Sequence, residues 1–282
     1  MLSFKNKLIT KVGVPIFKCP ALPFIHIYKL TNKAKKRISL SENGIGSKED
    51  PVYLTAHRGS WADAPQNSLP AFKKAVELGY YTAECDIRLT KDNKWVVLHN
   101  DTVDSLFCQK GNIEEFTYDE VRTFTYKYGP DFWKYDGLKI CSFEEYLDTF
   151  MGTNTRPQIE IKTETYDKLY TVVDAVKERG LEKSAIVISF DLKQLQEINK
   201  IDSSIELWYL IDEITPERIA EAQAIGDNVW LSPCYDRNDE KSIKLALDAG
   251  IGVSFWTVNK IEDAKKLYDL GVRYIESDIL CK

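Results

Sequence analysis

No apolar run in this sequence approaches the roughly 20 residues that cross a bilayer, and none makes a convincing secretory core of roughly 7 to 15. Its six cysteines stand apart with no C-x-x-C pair. That spacing argues against a thiolate zinc site or a disulfide framework and suits a reducing compartment. Histidine is scarce, at three residues in 282. A Walker-type phosphate loop is missing, which leaves nucleoside triphosphate transfer unsupported. The glycine-rich βα turn that an open doubly wound sheet would want is missing as well. Acids are absent from residues 1–40, which carry nine Lys or Arg. The remainder carries 29 bases against 43 acids.

A cytoplasmic protein is therefore expected, with no nucleic-acid partner. The basic leader offers a possible arm on anionic lipid, where each cation contributes on the order of 1 kcal/mol. A solvated leader or an extra helix under the main domain is the competing reading. The polar stretch Ser41 to Asp50 reads as a linker, so residues 1–50 form an extension and the domain proper occupies 51–282.

What is present centres on Ala83 to His99 (AECDIRLTKDNKWVVLH). Alternation puts Glu84, Asp86 and Arg88 on one strand face and Cys85, Ile87 and Leu89 on the other. Asp92-Asn93 breaks the pattern, and the run Trp95 to Leu98 returns to His99 as a hairpin would. Pairing about that turn is expected to set Asp86 opposite His99. Glu and Asp two apart on a strand are more often a solvated face, but the same spacing recurs in Glu160 and Lys162 of the run QIEIK.

Around this stretch the chain alternates strand and helix. A short strand ends at His57-Arg58-Gly59 and leads into a helix over 69–78. After the aromatic, unpatterned residues 101–140, strands near 158, 185, 206, 228, 252 and 274 alternate with helices. Nine candidate strands fit a closed parallel eight-stranded barrel, a TIM (β/α)8 fold, if one hairpin member lies off the wall. The unpatterned segment is then an excursion over the site. In such a barrel chemistry gathers at the carboxyl ends of the strands, where His57, Glu84, Asp86, Glu160, Lys162 and Trp256 fall.

Three acids converging there would repel one another unless a hard cation, Mg²⁺ or Ca²⁺, lay between them. A structural ion pair of Glu160 with Lys162 or Arg88 is the alternative. His57 and His99, two of the three histidines, end strands in the same region and suit acid–base work near neutrality. Arg58, Lys162 and a cation would together receive an oxyanion, phosphate being the common one, and the set suits phosphodiester cleavage. His26, in the leader, is read as ordinary.

The strings HRG (57–59), PQNS (65–68), ECD (84–86), TKDNKWVVLH (90–99), EIK (160–162) and WTVN (256–259) resemble the glycerophosphodiester phosphodiesterases, in order and over about residues 52–280. The resemblance implies a TIM barrel with a small insertion after the second histidine. It implies Glu84, Asp86 and Glu160 as cation ligands and His57 and His99 as the acid–base pair. Arg58 and Lys162 would hold phosphate, Asn67 would support the site, and Trp256 would wall the glycerol pocket. The substrate would be a glycerophosphodiester or polymer-linked phosphodiester, opened through a cyclic phosphate to glycerol 3-phosphate and an alcohol. Gln66, Ser68, Asn100 and Glu276-Ser277 depart from the family pattern without removing a ligand or a histidine. Two alternatives remain: a phospholipase D-like lyase on lysolipids or sphingolipids, and a non-catalytic barrel that binds phosphorylated ligands.

Overall fold

The computed structural model describes residues 35–282; the leader expectations, His26 and Cys19 lie outside the described residues. Among the described residues, β1 (Ile38–Ser39), β2 (Tyr53–Ala56), β3 (Thr82–Leu89), β4 (Trp95–Val97), β5 (Arg156–Ile161) and β6 (Ile186–Ser189) come first. They are followed by β7 (Glu206–Ile211), β8 (Val229–Pro233), β9 (Ser254–Phe255), β10 (Tyr274–Ser277) and β11 (Leu280–Cys281). The wall runs β8-β7-β6-β5-β3-β2-β10-β9, all parallel. Single parallel bridges, Leu231 to Val253 and Cys234 to Trp256, bring β9 back to β8 and close the ring of a TIM barrel. As anticipated, one hairpin member stays off the wall: β4 pairs only β3, antiparallel.

The hairpin register differs from expectation by one residue. Ile87 pairs Val97 and Arg88 pairs Val96, so Asp86 faces Leu98 and not His99. The turn is tighter than assumed: Thr90 N–H donates to Lys94 O at 2.9 Å, and Asn93 takes a positive φ of 57°. His99 therefore emerges just past the strand, where Arg88 Nε donates to its carbonyl at 2.9 Å.

Of helices α1 (Leu69–Glu77), α2 (Tyr118–Val121), α3 (Phe143–Asp148), α4 (Leu169–Lys177), α5 (Leu192–Ile201), α6 (Pro216–Gln223), α7 (Glu240–Asp248) and α8 (Ile261–Asp269), all but α4 and α8 start at a side-chain cap. Ser142 and Glu145 form a capping box at α3, and Thr215 caps α6 ahead of Pro216. Outward residues of the wall, such as Cys85, Ile87, Ile159 and Val187, bury against Phe72, Val172 and Leu195 of the helices. No helix among the described residues is long and apolar enough to cross a membrane.

Two regions lie apart from that layer. Residues 38–50 return along the barrel, β1 pairing β11 while Leu40 and Ile45 enter the core. The insertion has a hydrophobic cluster of its own around Phe107, Val121, Phe124 and Tyr126, anchored by Val96 and Leu98 of the hairpin. Its aromatics pack edge-on without period, which is why no repeat is visible in the sequence.

Candidate active site

Alternation carries Glu84 and Asp86 from β3 and Glu160 from β5 into the barrel mouth. Parallel pairing sets Asp86 beside Glu160. Glu84 and Asp86 are each 1% exposed. One carboxylate oxygen from each of Glu84, Asp86 and Glu160 lies within 4.8 Å of the others. His57, Glu84 and Glu276 form a second such group that shares Glu84. Glu84 Oε1 and Asp86 Oδ1 are buried without any hydrogen-bond partner. Orphaned anionic oxygens at that depth are costly, and an oxygen-rich set of this kind fits a hard divalent cation.

Their protonation reflects the crowding. Burial, then Asp86, Glu276 and Glu160, push Glu84 well above the ordinary carboxylate range. Burial and Asp86 lift Glu160 to about 7 against the pull of Lys162. Burial would raise Asp86 too, but Arg58, His99, Lys162 and the Asn67 amide hold it below its usual value.

The loop after β2 is shaped by its HRG string. Gly59 takes a φ of +76°, and a Cβ there would stand 2.8 Å from the Ala71 backbone, so α1 excludes a side chain. Arg58 and Asn67 both adopt left-handed backbone, each with φ 54°. Arg58 N–H thereby donates to Glu84 Oε2 at 2.7 Å. Asn67 Nδ2 donates to Asp86 Oδ2 at 2.7 Å. Arg58 also donates to Gln66 Oε1 at 2.8 Å, so this departure from the family pattern engages the guanidinium.

The two imidazoles have opposite surroundings. His57 Nδ1 meets Asp278 Oδ1 at 2.7 Å, and Asp278 is held in turn by Asn259 Nδ2 at 2.7 Å. Burial opposes charge on His57, but Asp278 and Glu276 lift it above its ordinary value. His99 Nδ1 meets the neutral Asn100 Oδ1 at 2.7 Å, and its Nε2 lies 3.5 Å from Lys162 Nζ. Burial depresses His99, with Arg58 and Lys162 adding to the effect. Lys162 bridges the carboxylates, 2.8 Å from Glu160 Oε1 and 3.8 Å from Asp86 Oδ1. The ion pair foreseen as an alternative for Glu160 therefore exists inside the cluster. Trp256 stands at the rim, its Nε1 donating to Ser232 O at 2.8 Å and its ring 5.7 Å from that of Phe190.

All nine residues singled out in the sequence thus reach one mouth. The sequence reading gave Glu276, Asp278 and Asn259 no role at the site. Alternation in Tyr274 to Ser277 (YIES) carries Glu276 inward, with the spacing already used for ECD and EIK, and Asp278 follows at the strand's carboxyl end.

The glycerophosphoryl diester phosphodiesterase family model matches residues 57–279. A glycerophosphodiester phosphodiesterase of Caldanaerobacter subterraneus subsp. tengcongensis is 29% identical over 236 residues, 80% of this chain and 94% of that one. Among solved structures, a glycerophosphodiester phosphodiesterase from Thermotoga maritima aligns with a TM-score of 0.66 at 28% identity, covering 80% of this chain and 94% of that one. A phosphodiesterase from Oleispira antarctica, solved with the product sn-glycerol-3-phosphate, shares the fold with a TM-score of 0.73 at 21% identity, covering 86% of this chain and 96% of that one. The carboxylate cluster, the two oppositely held imidazoles and the match across the whole barrel agree: this chain belongs to the glycerophosphoryl diester phosphodiesterase family.

Proposed function

We propose that the chain hydrolyses glycerophosphodiesters to glycerol 3-phosphate and an alcohol, with Glu84, Asp86 and Glu160 holding one divalent cation, Mg²⁺ or Ca²⁺. Family membership makes it a phosphoric diester hydrolase, and a small glycerophosphodiester is its substrate class. The observation that carries the finer reading is the asymmetry of the two imidazoles. His57 is buttressed by a carboxylate, whereas His99 is held by a neutral amide beside a lysine.

In this reading His99 Nε2, kept neutral, takes the proton from the glycerol hydroxyl next to the phosphate. That oxygen attacks phosphorus, and the bond to the leaving alcohol breaks. His57, kept charged by Asp278, delivers its Nε2 proton to the departing oxygen. A cyclic phosphate results. Neutral His57 then takes a proton from water, the new oxygen attacks phosphorus, and His99 returns its proton to the glycerol oxygen as the ring opens. Arg58 and Lys162 face the phosphoryl oxygens, where each preorganised donor supplies about 3 kcal/mol. When bound, the cation neutralises charge on the phosphoryl group and polarises it. Trp256 and Phe190 wall the glycerol side, and Asn67 keeps Asp86 oriented.

A panel of soluble glycerophosphodiesters, assayed for glycerol 3-phosphate with each cation, tests this. Release from at least one diester, lost in His99→Ala, is expected. Turnover of every diester at the parent rate in His99→Ala would refute the assignment. Accumulation of a persistent cyclic phosphate from a lipid substrate would instead favour the lyase.

A further inference from the structure

The described chain begins beside the catalytic mouth. Lys35 N–H donates to Ala62 O at 2.7 Å, and its ammonium stands 4.1 Å from the centroid of the Trp61 ring. Arg37 Nε lies 3.7 Å from Asp63 Oδ2. Residues 61–63 belong to the loop that carries His57, Arg58 and Asn67. Lys35 and Arg37 thus lie at the catalytic face, and the sequence before them, residues 1–34, holds six lysines and no acid.

Among the described residues, aromatic exposure is confined to the same face. Among the described residues the exposed aromatic side chains are Tyr128 (43%), Tyr166 (43%), Tyr170 (51%) and Phe190 (48%). Tyr128 adjoins Gly129, which packs so closely on Pro65 of the His57 loop that an added Cβ would lie 2.7 Å from that ring. Tyr166 lies in the loop after β5, Tyr170 in the first turn of α4, and Phe190 just past β6. Each is at a strand's carboxyl end or in the insertion that covers it. The exposed aliphatic residues Met151, Ile201 and Leu245 lie elsewhere, past α3, at the end of α5 and on the side of α7.

Aromatic rings favour the headgroup level of a bilayer, and clustered cations favour acidic lipid. These rings stand on separate segments at the strands' carboxyl ends and in the insertion, which suits a fluid surface better than a single protein knob. We propose that the barrel docks mouth-down on an anionic bilayer, so that the site works on phosphodiesters presented at the membrane surface. The docking stands on the rim and the leader's root alone; only the membrane-borne substrate rests on the hydrolytic reading.

Co-sedimentation of the full chain with phosphatidylcholine vesicles, pure or containing about 30% phosphatidylglycerol, tests it. Binding to the anionic vesicles alone is expected, with release as salt is raised. The double variant Tyr128→Ser/Tyr170→Ser should bind about tenfold more weakly, since it removes two interfacial rings, while soluble glycerophosphocholine is turned over as by the parent. Equal binding to both vesicles, binding to neither, or a double variant that binds like the parent would overturn the docking. Loss of soluble turnover in the parent, with vesicle binding kept, would fell the hydrolytic reading and leave the docking standing.

Discussion

At the amino-terminal end of the barrel, Tyr53 stacks on Tyr274 with centroids 4.6 Å apart, and Trp230 meets Tyr274 edge-on at 4.7 Å and stacks on Trp208 at 5.5 Å. The charged group there is paired: Glu206 accepts from Arg156 at 2.7 Å and from Trp208 Nε1 at 2.6 Å. At the carboxyl end, two carboxylate oxygens are buried without partners and four acids crowd together. One interior thus holds a packed floor and a frustrated mouth. Frustration that folding alone would not select marks the place where ligand binding completes the structure.

The largest expected effect lies at the mouth and should leave folding alone. His57→Ala should lower kcat by about 10²- to 10⁴-fold, the usual range for a lost acid–base group, with an unchanged melting curve. A melting temperature that falls with activity would place His57 in the folding core. Next comes the floor, where the signs reverse. Trp208→Ala should cost about 3 to 5 kcal/mol of stability, read by denaturant unfolding, while the folded fraction keeps its KM. Gly252 belongs to this region, because a Cβ there would sit 2.2 Å from the Trp230 ring. Gly252→Ala should therefore destabilise as well.

A smaller effect separates orientation from chemistry. Asn259→Ala frees Asp278 Oδ2 and should cost about tenfold in kcat, displacing the alkaline limb of the pH profile toward lower pH as His57 loses part of its support. An unshifted profile would make Asn259 merely structural. The smallest concerns linkage in cation-free protein. Burial and Asp86 raise Glu160 to about 7 when folded, above the roughly 4.3 of an unfolded glutamate. Between those values the native state binds more protons, so stability should fall as pH rises from about 5 to 7. Glu160→Gln should flatten that slope, and added cation should oppose it. A parent whose stability does not fall over this window would contradict the crowding.

The barrel was legible because strands with polar groups facing the mouth and apolar ones facing the helices leave period-two runs, and because Ser142, Thr215 and Pro216 mark helix starts. Inward carboxylates follow from the same period, so Glu84, Asp86 and Glu160 could be placed together. Register was less legible. One residue of turn geometry at Asn93 moved the partner of Asp86 from His99 to Leu98. Asp278 was given no site role because a second carboxylate behind a histidine becomes visible only when β10 closes against β2, 221 residues from His57. The insertion packs aromatics by shape, which leaves no period to read.

The central claim is that Glu84, Asp86 and Glu160 share one ion between His57 and His99. Crystals grown with Ca²⁺, and with Mg²⁺, test it most directly. A single ion with oxygens of all three residues at about 2.0 to 2.6 Å is the predicted result. An ion bound elsewhere, or a mouth without one in crystals of active protein, would contradict it.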